Sequence, residues 1–262
     1  MGIVNLTPDS FYPASRRPDP RTAVDAALSM LQQGADLLDL GAESTRPGAE
    51  PVSAAEEQDR LLPVIAELRS LTAAPLSVDT RRTATARLAL EAGADAVNDV
   101  SGGRDPEMLR LVAERKVGLV LMHMQGDPRT MQTAPSYRDP VAEVGDWLAA
   151  AAAAAETAGV APQRVMVDPG LGFGKLLDHN LALLAGLRAL ARGRPLLLGA
   201  SRKSFIGAIT GAPVEDRLGG SLAALAAGHA GGATVVRVHD VAASVQFLDV
   251  LAAIAEARPG SQ

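Results

Sequence analysis

The sequence predicts an α/β fold: a (β/α)8 TIM barrel with eight parallel strands inside, helices outside and a ligand site at the C-terminal strand ends. Three observations carry that expectation. Short apolar segments alternate with segments of helical spacing, and such alternation builds a parallel sheet. Eight of these units fit into 262 residues, the usual size of a closed barrel. No Gly-x-Gly-x-x-Gly stands at the first strand-to-helix turn, so the alternative, a doubly wound open sheet, lacks its usual mark. One domain is expected over 1–262, with the barrel in 1–257 and a tail in 258–262.

The elements follow in order. Met1 to Asn5 is a short apolar strand, and Thr7 to Pro20 is loop. Arg21 to Gln33 is helical by the spacing of Ala23, Ala26, Ala27, Met30 and Leu31, and Gly34 stops it. Asp36 to Gly41 is the second strand, followed by the loop Glu43 to Gly48. Ser53 caps a helix to about Leu71, with Glu56 completing a capping box. Pro75 to Val78 is a strand ending at Asp79, and Thr83 to Ala92 a helix stopped by Gly93. Ala96-Val97 is a strand ending at Asn98-Asp99, and Asp105 caps a helix over 106–116. Val117 to Met122 ends at His123, and a helix opens at Asp139 and runs to about Ala158. Its Ala149–Ala155 run is the strongest helix former available, so it is not taken as disordered. A strand over Val165–Asp168 precedes a helix from about Asp178 to Ala191. Leu196 to Gly199 is a strand, and the helical stretch after it is interrupted near Gly211 to Pro213 and resumes to about Ala230. Thr234 to Val238 is the last strand and Asp240 to Ala257 the last helix.

Composition narrows the class. Hydrophobic residues make up 47% and charged residues 21%, enough for a sizeable core. A net charge of −5 gives no reason to expect nucleic acid or an acidic membrane surface as partner. The absence of cysteine excludes disulfides, thiolate metal sites and a Cys nucleophile. No run approaches the roughly 18 apolar residues of a membrane span, and nothing after Met1 looks like a signal peptide. A cytoplasmic enzyme is expected.

The stretch Val165 to Lys175 organises the site. Asp168 closes a buried strand, Pro169 cannot extend a ladder, and Gly170, Gly172 and Gly174 permit close backbone approach. A lone strand-end Asp is ordinarily a turn cap. Here the other strands end in Asn5, Glu43 to Arg46, Asp79, Asn98, Met122-His123, Ser201 to Ser204, and Arg237 with His239. In a barrel these share one rim, and a ring mixing acids, amides and bases exceeds what capping requires. Asp79, Asn98 and Asp168 suit a flat heterocycle that displays several N–H donors, and Lys203 suits a ring carbonyl. Arg46, Arg237, His239, Thr45 and Asn5 are donors or metal ligands and suit a diphosphate.

Seven segments, in order, resemble the dihydropteroate synthase family: Met1 to Phe11, Gly41 to Gly48, Ser77 to Thr80, Asn98 to Gly103, Asp168 to Lys175, Ser201 to Phe205 and Arg237 to Asp240. The resemblance spans essentially the whole chain. It implies condensation of 6-hydroxymethyl-7,8-dihydropterin diphosphate with 4-aminobenzoate to 7,8-dihydropteroate and diphosphate, with Mg2+, in a homodimer joined through the C-terminal helices. It implies a pterin site of Asp79, Asn98, Met122, Asp168, Gly172, Phe173, Lys203 and Arg237. Asn5, Thr45, Arg46, Arg237 and His239 would hold the diphosphate, and Asn5 the Mg2+. Phe11, Pro47, Phe173 and Ser204 would hold the 4-aminobenzoate. Catalytic work would fall to Lys203, Arg237, Asp79 and Asp9.

Two departures stand out. After Asp9-Ser10-Phe11 the family usually continues Ser-Asp-Gly-Gly, and this chain has Tyr12-Pro13-Ala14-Ser15, without the acid and glycines. The family also usually carries a segment before the first strand, so a bare strand end is expected at Met1. Other residues have plain structural readings: His123 as a cap, the alternative to a role on the rim, His179-Asn180 as a helix opening, His229 as structural, Trp147 as core or interface, and Lys175 as a surface charge. The competing functions are a corrinoid-linked methyltetrahydrofolate methyltransferase, which has no use for a diphosphate cluster, and a catalytically silent pterin-binding paralogue.

Overall fold

The computed structural model describes residues 1–7, 20–43 and 52–257. Six strands form one parallel sheet in sequence order: β1 (Gly2–Asn5), β2 (Leu38–Gly41), β3 (Leu76–Asp79), β4 (Ala96–Asp99), β5 (Gly118–Met122) and β6 (Val165–Asp168). Two more, β7 (Leu197–Leu198) and β8 (Val235–Val236), pair in parallel. Single bridges join the two sheets at both seams, Val167 to Leu196 and Gly2 to Val238. Backbone hydrogen bonds reinforce them: Val167 N–H donates to Pro195 at 3.0 Å, Ile3 N–H to Val238 at 3.0 Å and Val238 N–H to Met1 at 2.9 Å. These seams complete a ring of eight strands. The Met1 main-chain nitrogen donates to the Val236 carbonyl at 3.0 Å.

The described helices are α1 (Pro20–Gln32), α2 (Ala54–Leu71), α3 (Thr83–Glu91), α4 (Pro106–Arg115), α5 (Pro140–Thr157), α6 (Leu177–Ala185), α7 (Leu187–Ala191), α8 (Ser204–Thr210), α9 (Leu218–Ala230) and α10 (Val241–Glu256). The expected caps are present: Ser53 accepts from the Glu56 amide, Asp105 from Glu107, and Asp139 from Val141 and Ala142. One expected helix divides. The 178–191 segment breaks at Gly186, between α6 and α7, where a Cβ would stand 2.7 Å from Val141 of α5. The bare backbone lets α5 lie close at the break.

Strand alternation decides which side chains enter the barrel. Leu38 and Leu40 are fully buried in the main apolar cluster with residues of α1 and α2. Each such leucine contributes about 1.5–3 kcal/mol relative to an exposed one. A one-residue slip would turn both leucines the wrong way, so the register is strongly held. The same register leaves Asp39, between them, facing the barrel interior. A second apolar cluster joins α5 to α9 with β6 and β7, and Trp147 packs against it, as a structural residue should.

Candidate active site

The interior of β2, β3, β4 and β8 carries one charged cluster. Arg237 donates through Nε to Asp39 Oδ2 at 2.6 Å and through a terminal nitrogen to Asp79 Oδ2 at 3.0 Å. Asn98 Nδ2 donates to the same Asp39 oxygen at 3.0 Å. Gly41 gives Asp79 room, since a Cβ there would lie 3.3 Å from the Asp79 Cβ. Burial pushes the Asp79 carboxyl up to about 7; Arg237 opposes the shift, while Asp39, Glu57 and Asp99 add to it. Burial works against the Arg237 charge, but the facing Asp39 and Asp79 leave its pKa raised. Asp39 Oδ1, Ser77 Oγ and Asn98 Oδ1 are buried without a hydrogen-bond partner among the described residues.

The loop after β6 forms the opposite wall. Asp168 is buried, and its Oδ1 accepts from the Gly170 amide at 2.7 Å. Gly170 has φ +64°, and a Cβ there would meet the His123 carbonyl oxygen at 2.0 Å, so only glycine fits. Side chains then fix the next four carbonyls in turn. Lys203 donates to Leu171, Gln132 to Gly172 at 2.6 Å, Lys175 to Phe173 at 2.8 Å, and the Tyr137 hydroxyl to Gly174 at 2.8 Å. Asn180 accepts from the Gly172 amide at 2.7 Å. Preorganised backbone at a binding loop lowers the ordering cost of a ligand.

Lys175 is 3% exposed, which overturns its reading as a surface charge. Its ammonium meets three acceptors: Phe173 O, His123 Nδ1 at 3.0 Å and His123 O at 3.3 Å. Burial lowers the Lys175 pKa to about 7, against the pull of Asp168. His123 is not a simple cap either. Burial first, and Lys175 second, hold it down to about 3, so it is neutral, and the Lys175 contact assigns Nδ1 as acceptor. His179 opens α6 as expected, its Nδ1 accepting from the Leu176 amide at 3.2 Å. Asn180 does so too, but also holds the Gly172 loop.

Lys203 lies with Nζ 4.4 Å from the Phe173 ring centroid. Burial lowers its pKa to about 8, and Asp168 opposes that shift. Asp168 is in turn raised by burial, and the charges of Lys203, Arg237 and Lys175 hold it back. The two walls therefore share one electrostatic environment. Met122 packs with Val100, Met124, Met131 and Phe173, an apolar surface beside Asp168, its register partner. Ser204 is the first residue of α8 and is exposed. His239 Nδ1 lies 3.0 Å from Ser201 Oγ, and Asn5 ends β1 beside Gly41.

Residues 1–239 match the family described as "Pterin binding enzyme". The chain belongs to that family. Dihydropteroate synthase of Neisseria meningitidis serogroup B is 48% identical over 97% of this chain and 92% of its own. The Xanthomonas albilineans dihydropteroate synthase solved with 4-aminobenzoic acid superimposes with a TM-score of 0.92 at 47% identity, covering 98% of this chain and 93% of that one. The same enzyme in complex with 7,8-dihydropteroate gives a TM-score of 0.89 at 44% identity, with 98% and 93% covered. These relatives place the chain among the dihydropteroate synthases of the family, and none favours the corrinoid methyltransferase.

Within this pterin binding enzyme, Asp79, Asn98, Met122, Asp168, Gly172, Phe173, Lys203 and Arg237 all sit on the two walls, with Asn5 and His239 at neighbouring strand ends and Ser204 at the start of α8. Asp9, Phe11, Thr45, Arg46 and Pro47 lie outside the described residues, as does the Tyr12-Pro13-Ala14-Ser15 departure. Glu43, expected at the rim, is an anchor: Arg82 donates to it at 2.6 Å and to the Val52 carbonyl at 2.6 Å, joining the two flanks of 44–51. Asp39, Lys175, Gln132 and Tyr137 escaped the sequence reading as site residues. Asp39 had a signal, an acid between two strand leucines. Gln132 and Tyr137 had none, because their role is to hold another loop's backbone.

Proposed function

We propose that this chain condenses 6-hydroxymethyl-7,8-dihydropterin diphosphate with 4-aminobenzoate to form 7,8-dihydropteroate and diphosphate. The observation that carries the reading is the buried Asp168 carboxylate on a rigid glycine loop, within electrostatic reach of Lys203, whose ammonium lies over the Phe173 ring. Asp168 accepts from the 2-amino and N3 edge of the pterin, and Lys203 donates to its carbonyl. Asn98 and Asp79 complete the polar rim, Met122 and Gly172 line the ring, and Arg237 stacks on its face. Phe173, Ser204, Phe11 and Pro47 hold the 4-aminobenzoate. Thr45, Arg46, Arg237, His239 and Asn5 hold the diphosphate.

The carbon–oxygen bond to diphosphate breaks first, and the dihydropterin shares the positive charge left on its exocyclic carbon. The largely neutral aniline nitrogen then bonds to that carbon and loses a proton. Fixed donors around the leaving group stabilise its growing charge, and the catalytic work is assigned to Lys203, Arg237, Asp79 and Asp9. Among the described residues no cluster of three His, Asp or Glu could hold a metal ion. Mg2+ takes oxygen ligands and keeps waters: Asn5 would supply one oxygen and the diphosphate others. Bound there, the ion would neutralise leaving-group charge.

We further propose a homodimer through the last helices. Val250 and Ile254 of α10 are 54% and 55% exposed on one helix face, and light scattering checks the state. No described helix is long and apolar enough to cross a membrane; a cytoplasmic location fits the reading.

The test of function is product formation from the two substrates, followed by mass. Dihydropteroate from the wild type, with at least about hundredfold less from Asp168→Asn, supports the reading. Equal product from the variant would overturn the assignment of Asp168. For the bond order, oxygen scrambling within the diphosphate without amine supports dissociation, and its absence counts against it.

A further inference from the structure

Asp39 is fully buried, and the only hydrogen-bond partners of its carboxylate among the described residues are Arg237 and Asn98, both on the wall assigned to the pterin. A buried carboxylate is costly unless it is paired and hydrogen-bonded, so these two contacts must be kept for the charge to stay buried. Its contact with Arg237, at 2.6 Å, is shorter than the 3.0 Å contact to Asp79. The Asn98 contact has a further consequence. A carboxylate accepts only, so the end of the Asn98 amide facing Asp39 must be the NH2. The Asn98 carbonyl oxygen is therefore turned the other way, and it has no partner among the described residues. Without the acid, an amide's two ends are close in shape and either flip is open.

We propose that Asp39 is a positioning residue for the heterocycle: it holds the Asn98 amide in one flip, so that the β4 wall presents an acceptor to a ligand N–H. The proposal rests on the reading of these two walls as the pterin site. Asp39 touches no reacting atom. It sets the polarity of the wall through Asn98. A donor-bearing edge then meets an oxygen at Asn98 rather than a competing NH2.

The test is a double-mutant cycle on the full chain, with 6-hydroxymethylpterin as probe in isothermal titration. This ligand carries no diphosphate, so Thr45, Arg46, His239 and Asn5 do not enter. Asp39→Asn keeps the shape and lets either end of residue 39 face Asn98. It should weaken the probe about tenfold while moving the KM for 4-aminobenzoate less than about twofold. In an Asn98→Ala background the same substitution should change the probe affinity by less than about twofold. Equal losses in both backgrounds would overturn the proposal, as would a parallel rise in both KM values. If neither Asn98→Ala nor Asp168→Asn alters probe binding, the site assignment itself fails. A measurement on the wild type covers a variant that does not fold. The Asn98 side-chain NH2 resonances, in contact with a buried carboxylate, should exchange with solvent far more slowly than those of exposed amides. Fast exchange would contradict the assigned flip.

Discussion

Lys203 Nζ sits 4.4 Å from the centre of the Phe173 ring and donates to the carbonyl of Leu171 in the same loop. The cation thus joins α8's start to the glycine loop, and the ring face favours its charged form. Burial has already brought the Lys203 pKa down to about 8. The kcat/KM for the pterin diphosphate should fall as pH rises through about 8, as Lys203 loses its charge. Lys203→Arg should lack that alkaline limb. Phe173→Leu removes about 0.5–2 kcal/mol of cation–π stabilisation and should shift the limb to lower pH. A limb unchanged in both variants assigns the titration elsewhere.

Lys175 gives a stability signature. Its folded pKa of about 7 lies below its ordinary value of 10.5. Between the two the unfolded chain binds more protons than the folded one, so this group's contribution to stability rises with pH across that window. Denaturant midpoints of the wild type and Lys175→Met, compared at pH 7 and 9.5, should diverge further at the higher pH. The substitution also strands three acceptors, at about 1–3 kcal/mol for each one left buried and unbonded. Midpoints that stay parallel would show that Lys175 does not titrate there.

Asp79 has the opposite sign. Its carboxyl is raised from 3.8 to about 7, so the folded state binds the extra proton, and stability from this group falls as pH climbs from about 4 to about 7. Asp79→Asn should flatten that decline in thermal unfolding curves. An unchanged slope would assign the decline to other groups.

Two glycines two residues apart should respond differently. Gly172→Ala meets only the Lys203 Cδ at 3.4 Å, at φ +81°, and should cost about 1–2 kcal/mol from the left-handed backbone alone. Gly170→Ala drives a Cβ to 2.0 Å from a backbone oxygen, so it should destabilise more and abolish pterin binding. Equal unfolding midpoints for the two variants would contradict the close packing at His123.

The barrel was legible because each unit carries its own punctuation. Ser53, Asp105 and Asp139 are caps that act locally, so their positions transfer directly from sequence to structure. The break at Gly186 was not legible, since it depends on how closely α5 approaches. The rim was legible where a polar residue ends an apolar strand, as at Asp79, Asn98 and Asp168. Lys175 was not, because a lysine after three glycines resembles a solvated loop charge, and only the fold brings His123 to it. Asp39 carried a signal, an acid between two strand leucines, but its partners Arg237 and Asn98 come from other strands and only the fold brings them to it.

The most direct measurement is diphosphate release by the purified chain given the pterin diphosphate and Mg2+, with and without 4-aminobenzoate. Release that depends on the amine, matched mole for mole by dihydropteroate, is the predicted result. A folded protein that binds the pterin but releases no diphosphate with the amine present would contradict the account and favour a silent pterin-binding paralogue.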